Sequence, residues 1–570
     1  MIRNGTANKS MAGVPKCKAL ARTIKAQRTP PWPAIPTRDL PPRAITDQLI
    51  DCYLRTFESL YQVLHIPSFK HDYEALWEPA PVHPDPDQPP QRVDMAFLVQ
   101  VKLVLAIGAT VYDQDFSLRP SCIRWVYEAL TFTSEPEFKS QLNIKSLQTD
   151  ILLLLARETA GIEPPGNYHD EQLVETPVDN GSDLSPVIAQ PESKFTETSV
   201  AIAMRKILPI RLAIARFLND LGSTRRLGDM APAYQESLDL DRDLRAAYRN
   251  LTRTLQVFSR DLSEVCWPGS WSPSLLFPSQ FIDLVINRDL LALHIPFYSA
   301  ALHKAAYAFS RKVVVESCFK IWHAVNPRPT SPSSSDATRQ DANARRTINQ
   351  YIHRLASHGA DFCRNAGFQV SMLLLGELHA QIREETETSA SPVDRSLLRP
   401  DLLAMVTEAK DWTMRSITAG ETNVKGYLFA SMVSAQIEGM MEGLEGEEAL
   451  AQILVKAAGE VVDKCVPLLE MLERETRMRM ASSGDIDSEQ TQGREQRQGE
   501  AGAGMVSQQQ YEADGSAITH ESESALGIMG YWDMLMLDAQ HISDFGSIAE
   551  PMNWAFIGAT SFSAGGPFIW

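Results

Sequence analysis

An all-α fold is predicted by three observations. Apolar residues recur at helical spacing along most of the 570 residues. Sustained apolar/polar alternation is missing, as are Asn-Gly hairpins flanked by β-branched runs. Proline-rich polar stretches separate the periodic segments. The architecture expected is an irregular multi-helix domain with a disordered N-terminal arm and a flexible C-terminal linker and tail.

Residues 1–45 carry Arg3, Lys9, Lys16, Lys18, Arg22, Lys25, Arg28, Arg38 and Arg43 against Asp39 alone, with prolines gathered between Pro30 and Pro42. So few apolar residues predict a disordered basic arm, either a nuclear-import or phosphate-contacting element or a plain solvated tail. From Asp47 the pattern turns helical, with Leu49, Tyr53, Phe57, Leu60 and Leu64 on one stripe. An extended segment is expected after Leu64, ending near Trp77, then a Pro-rich loop from Pro79 to Pro90. Met95–Tyr112 is apolar almost all round, which predicts a deeply buried helix. Pro120 suits the start of the next helix, through Trp125 and Leu130, and Leu147–Ala156 is another buried one.

Glu163–Lys194 is polar and Pro-rich and reads as a loop. Thr198–Leu221 is a long amphipathic helix that Pro209 should kink or divide. Helices are then predicted over Asp241–Val265, Phe281–Leu293, His303–Val325, Ala342–Arg364, Phe368–Ile382, Leu397–Ile417, Gly426–Met441 and Glu447–Met480. The resulting division is a basic arm at 1–45, a helical domain at 46–480, a low-complexity linker at 481–525 and an acidic-aromatic tail at 526–570.

Composition narrows the function. A net charge of -17 disfavours nucleic-acid binding through the whole surface, because phosphates need clustered Lys and Arg. No apolar run approaches the roughly eighteen residues of a membrane span, and no secretory signal opens the chain, so no membrane association is expected. The seven cysteines are scattered, never in C-x-x-C spacing, and are expected to be reduced and mostly buried rather than zinc-bound. Neither a Gly-x-Ser-x-Gly elbow nor a phosphate-binding Gly-rich loop is present, so no enzyme is expected. His353 and His358 lack His-Glu-x-x-His spacing and read as capping or surface residues. His65 and His294 read as structural histidines near helix ends. Arg225, Arg226, Arg242, Arg245, Arg249 and Arg253, interspersed with Asp239, Asp241 and Asp243, read as a solvated face, with phosphate binding as the alternative.

Several strings resemble one family. Leu64-His65-Ile66-Pro67-Ser68-Phe69 after the first helical run resembles the entry to the fungal-specific regulatory domain found downstream of binuclear zinc-cluster DNA-binding domains. Similar in order and spacing are Phe195–Ser199 leading into Leu208–Leu212, Arg216–Asn219, Tyr234–Leu238, Leu290–Phe297 and Phe309–Lys312. The resemblance implies a nuclear transcription regulator, closest to regulators of secondary-metabolite gene clusters. It also implies partners: transcriptional coactivators, a second copy or a full-length homologue, a sensed small molecule, and DNA only if an upstream zinc cluster exists. Zinc is implied by the family alone; the six-cysteine cluster has no counterpart here, Cys17 beside Lys16 and Lys18 being a fragment at most. The family also usually carries a Gly-Leu-His-Arg-Asp-like turn and an Arg-Arg-Arg-Leu-Trp-like helix where this chain passes from Arg157 almost directly to Pro164. A block is therefore expected to be missing near 157–163, through a gene-model error or a natural deletion. Its loss would bare apolar faces at about 25 cal/mol per Å².

The tail is the most function-like local segment. Acidic residues among aromatics suit an activation segment captured by a coactivator groove. Trp532, Leu535 and Met536 would share one helix face, with Phe545 and Trp554 as further anchors. Docking of the tail onto the helical body is the alternative. The function expected is transcription regulation, and the runner-up is a non-DNA-binding protein that pairs with full-length relatives and inhibits them.

Overall fold

The computed structural model describes residues 13–77, 94–135, 138–139, 143–160, 199–225, 230–264, 275–327, 351–358, 362–388, 398–444 and 447–492. All regular structure among the described residues is helical, as the periodicity predicts. In chain order the helices are α1 (Gly13–Arg28), α2 (Arg43–Arg55), α3 (Phe57–Tyr61), α4 (Ile66–Ala75), α5 (Met95–Tyr112), α6 (Arg119–Ser134) and α7 (Ile144–Ala160). There follow α8 (Ser199–Arg225), α9 (Ala231–Glu264), α10 (Leu276–Ala301), a 3₁₀ turn (Ala305–Tyr307) and α11 (Ala308–Val325). The last are α12 (Phe362–Thr388), α13 (Pro400–Thr418), α14 (Lys425–Met441) and α15 (Glu447–Gln492).

Helix α5 is the hub of the N-terminal half, packed by α2, α6 and α7. Its Asp94 cap accepts a hydrogen bond from Ala96 N at 3.0 Å. At the other end, Arg354 donates to Val111 O at 2.6 Å, and the ring of His358 lies 3.1 Å from Thr110 O and 2.6 Å from Gln114 O. The short helical stretch 351–358 thus closes the carbonyl end of α5. Against the expectation that no apolar run approaches a membrane span, α5 is long and apolar enough to cross a membrane, but 83% of it is buried inside the protein, where it serves as a core helix. At the crossing of α2 and α5, a Cβ built on Gly108 would lie 2.0 Å from Leu49 O. Gly108→Ala must therefore push two backbones apart, and we expect a loss of about 1–3 kcal/mol, read as a lowered midpoint of chemical unfolding.

Helix α10 plays the same part in the second half, against α11, α9 and α8. From α11 the packing proceeds through α12, α13, α14 and α15, each against the next. Trp322 of α11 meets Trp412 of α13 edge-on, with ring centroids 5.8 Å apart. One apolar core runs from Leu49 to Ile437, and a smaller one joins α1 to α14 and α15.

The basic arm is the largest difference from the sequence expectation. Residues 1–12 lie outside the described residues, but 13–45 pack on the body. Val14, Cys17 and Ile24 of α1 are buried, chiefly against α15. Beyond α1, Thr37 accepts from the buried Lys102 Nζ through its carbonyl oxygen at 2.6 Å and its hydroxyl at 3.0 Å. Composition disfavours folding of this segment alone; the body supplies the apolar surface and the buried charge that hold it. Cys17, between two lysines, is a packing residue whose thiol burial pushes up.

Smaller corrections have local causes. The stretch expected to be extended up to Trp77 contains α4, begun by Pro67 in its first turn. Pro209 lies inside α8 without dividing it. Helix α15 continues past Met480 to Gln492, into the expected linker. The six described cysteines are free thiols, five of them buried, and Cys266 lies outside the described residues. Of the expected junction at 157–163, residues 157–160 form the end of α7 and 161–163 lie outside the described residues. Helix α7, which leads into it, leaves Ile144, Leu147 and Leu154 exposed on its outer face.

Candidate functional site

The described helices form a groove between α9 and α11. On α9, Asp241, Arg245 and Arg249 recur every four residues and so share one face with Arg242. On α11, Phe309, Lys312, Val313 and Glu316 fall at i, i+3, i+4 and i+7, again one face. These eight side chains line an open depression of about 370 Å³. Four are cations and two are anions, so the groove is net positive on a chain that is net negative.

Its charges are held unequally. Arg242 pairs with Asp239 at 2.9 Å and Asp243 at 3.4 Å, its own helix neighbours. Arg245 Nε binds Asp241 Oδ2 at 2.8 Å. Lys312 Nζ is 3.9 Å from Glu316, and both are exposed. Arg249 is exposed and makes no hydrogen bond or ion pair with a described residue.

Beneath the groove lies a buried polar chain. His294 of α10 is fully buried, with Nε2 3.2 Å from Asp241 Oδ1 and Nδ1 2.8 Å from Ser310 Oγ. In the neutral ring, Nε2 donates to the carboxylate and Nδ1 accepts the Ser310 hydroxyl proton. Burial pushes the Asp241 carboxyl up, but the His294 and Arg245 hydrogen bonds outweigh it and hold it below its usual range. The composition is that of a Ser-His-Asp relay, yet Ser310 is fully buried and the groove reaches Asp241, not Ser310. What the chain does is tie α9, α10 and α11 together.

Three strings that share the family resemblance meet here. Tyr234 packs against Phe297 at 5.0 Å and Tyr307 at 4.7 Å between ring centroids. His294 and Ser310 come from the other two strings. Arg311, next to Ser310, points away and bridges Glu377 at 2.9 Å and Glu384 at 2.7 Å, where Tyr298 also donates to Glu377 at 2.5 Å.

The remaining candidates are distributed as follows. Trp532, Leu535, Met536, Phe545 and Trp554 lie outside the described residues. His65 caps the start of α4, its Nδ1 2.7 Å from Ser68 Oγ. His294 differs from expectation: it sits inside α10, not near its end. His353 lies 2.8 Å from Val325 O at the end of α11 and His358, though buried, 3.1 Å from Thr110 O at the end of α5, both as expected of capping residues. Asp241 also departs from the solvated face, because α10 covers it. Nothing in the α9 pattern distinguishes Asp241 from Asp239 or Asp243; only the partner helix does.

The chain is similar to three fungal transcription factors. It is 25% identical to transcription factor opdR of Penicillium oxalicum over 81% of this chain and 64% of that protein. It is 24% identical to transcription factor lepE of Aspergillus flavus over 79% of this chain and 58% of that protein. It is 23% identical to transcription factor asR3 of Sarocladium schorii over 75% of this chain and 56% of that protein. The chain thus spans about three-fifths of the length of the curated relatives it matches. No family model matches it, and no solved structure does.

Proposed function

We propose that this chain is the regulatory portion of a fungal nuclear transcription factor that controls a secondary-metabolite gene cluster. The observation that carries the reading is similarity to three transcription factors along three-quarters or more of the chain. The helical body supports it as a scaffold with one continuous core, on which partner-binding segments can be displayed. In this reading the tail at 526–570 recruits coactivators through Trp532, Leu535 and Met536, with Phe545 and Trp554 as secondary anchors. DNA is engaged directly only in company with a zinc cluster, whose metal belongs to that cluster and not to residues described here.

The test is a reporter assay with the whole chain fused to a heterologous DNA-binding domain. Activation above the bare DNA-binding domain is expected. Since aromatic anchors are worth about 2 kcal/mol or more, the triple variant Trp532→Ala/Leu535→Ala/Met536→Ala should lose at least about tenfold of it. A silent fusion that lowers the output of a co-expressed full-length relative would support the inhibitor instead.

A further inference from the structure

We propose that the groove between α9 and α11 binds a small planar acid: a carboxylate carried on an aromatic ring. This deepens the regulatory reading by naming the class of effector, and it rests on that reading only for the consequence of binding.

Three features select this chemistry. The volume of about 370 Å³ falls at the low end of small-molecule sites, which span about 300–1,000 Å³, and suits one ring with a short acidic arm. Charge comes next. Arg249 has no partner among the described residues, Arg245 commits only its Nε to Asp241, and Lys312 faces Glu316 only at 3.9 Å. These donors stand on two facing helices, and a guanidinium binds a carboxylate through two parallel hydrogen bonds. The third feature is the wall between them. Phe309 is 45% exposed, large for an aromatic on α11, and offers an apolar face for a ring, with the buried Val313 behind it.

A bare phosphate fits less well. It would leave Phe309 uncovered, and Asp241 at the buried base and Glu316 on the exposed wall repel a dianion more than a monoanion. Binding also has a route inward. Asp241 is shared between Arg245 at the groove and His294 beneath it, so an anion on Arg245 competes for that carboxylate's partner. The buried chain to Ser310 then relays the change to α10 and α11.

The experiment is calorimetric titration of the full chain with cinnamate, cinnamamide and inorganic phosphate. Cinnamate should bind saturably with a Kd between about 10 µM and 1 mM, and the other two at least about tenfold more weakly. Arg249→Ala and Lys312→Ala each remove an exposed side chain and should each weaken cinnamate by about fivefold or more with an unchanged thermal midpoint; Phe309→Ala should weaken it similarly, and because Phe309 also meets the buried His294 edge-on it is read only at a temperature where the variant is folded. Arg249→Gln serves if the alanine variant fails to fold. Absence of saturable binding below about 10 mM overturns the proposal. So does cinnamate binding that survives Arg249→Ala/Lys312→Ala, or phosphate binding tighter than cinnamate. None of these readouts involves transcription, so this proposal and the regulatory one fail separately.

Discussion

Lys102→Met is expected to lower the stability of the helical body by about 3–5 kcal/mol, against a net stability for such domains of about 5–15 kcal/mol. Lys102 is 1% exposed and Glu128 2%, and the ammonium and carboxylate are in direct hydrogen-bond contact. Burial lowers the Lys102 pKa, and the hydrogen bond and charge of Glu128 oppose that. Replacing the lysine alone strands the Glu128 carboxylate, with Arg124 Nε at 3.0 Å as its remaining cation. It also removes both bonds to Thr37, so the segment between α1 and α2 should loosen with it. Replacing both partners, Lys102→Met with Glu128→Leu, should recover much of the loss, because no buried charge is then left unpaired. Chemical unfolding midpoints measure the first effect, and faster amide exchange over residues 29–42 the second. A single variant as stable as the parent would refute the account.

Acid should destabilise the fold in two separate windows. Burial pushes the His379 pKa down to about 4, with Arg383 adding to it. An unfolded histidine takes its proton near pH 6.5, so the contribution of His379 is complete above 6.5 and is lost as pH falls through 4. Glu421 behaves differently. Burial raises its pKa, but Arg364, the Asn423 N–H and Arg119 overcome that and bring it to about 2. Its contribution is complete above pH 4.5 and is lost as pH falls through 2. Each window is worth about 3 kcal/mol, from the size of each shift. His379→Gln should flatten the upper window alone and Glu421→Gln the lower, in unfolding midpoints measured against pH. Loss of both windows in either variant would show that the two groups are not the cause.

Much of the fold was legible in the sequence because helix burial is written in a short period. Met95–Tyr112 had to be buried, being apolar almost all round, and it is the hub helix. Leu49, Tyr53, Phe57, Leu60 and Leu64 were predicted as a stripe and all lie in the main core. The candidate groove was half legible. The Arg and Asp run on α9 was visible as charges at helical spacing, but a period cannot say which member faces another helix. The aromatic and lysine of α11 that complete the groove lie some sixty residues further on, beyond any local pattern.

What the sequence determined by itself, then, is the element type and the buried face of each long helix, since both depend on residues within one or two turns. Tertiary structure alone decided three other things. It ordered the segment 13–45, whose own composition is too polar to fold, by giving Ile24 and Cys17 the side of α15 and Thr37 the ammonium of Lys102. It turned Asp241 inward onto His294 while Asp239 and Asp243 stayed in solvent. It gathered donors on α9 and α11 around one cavity. Each of these depends on contacts between residues far apart in the chain, which local periodicity does not encode.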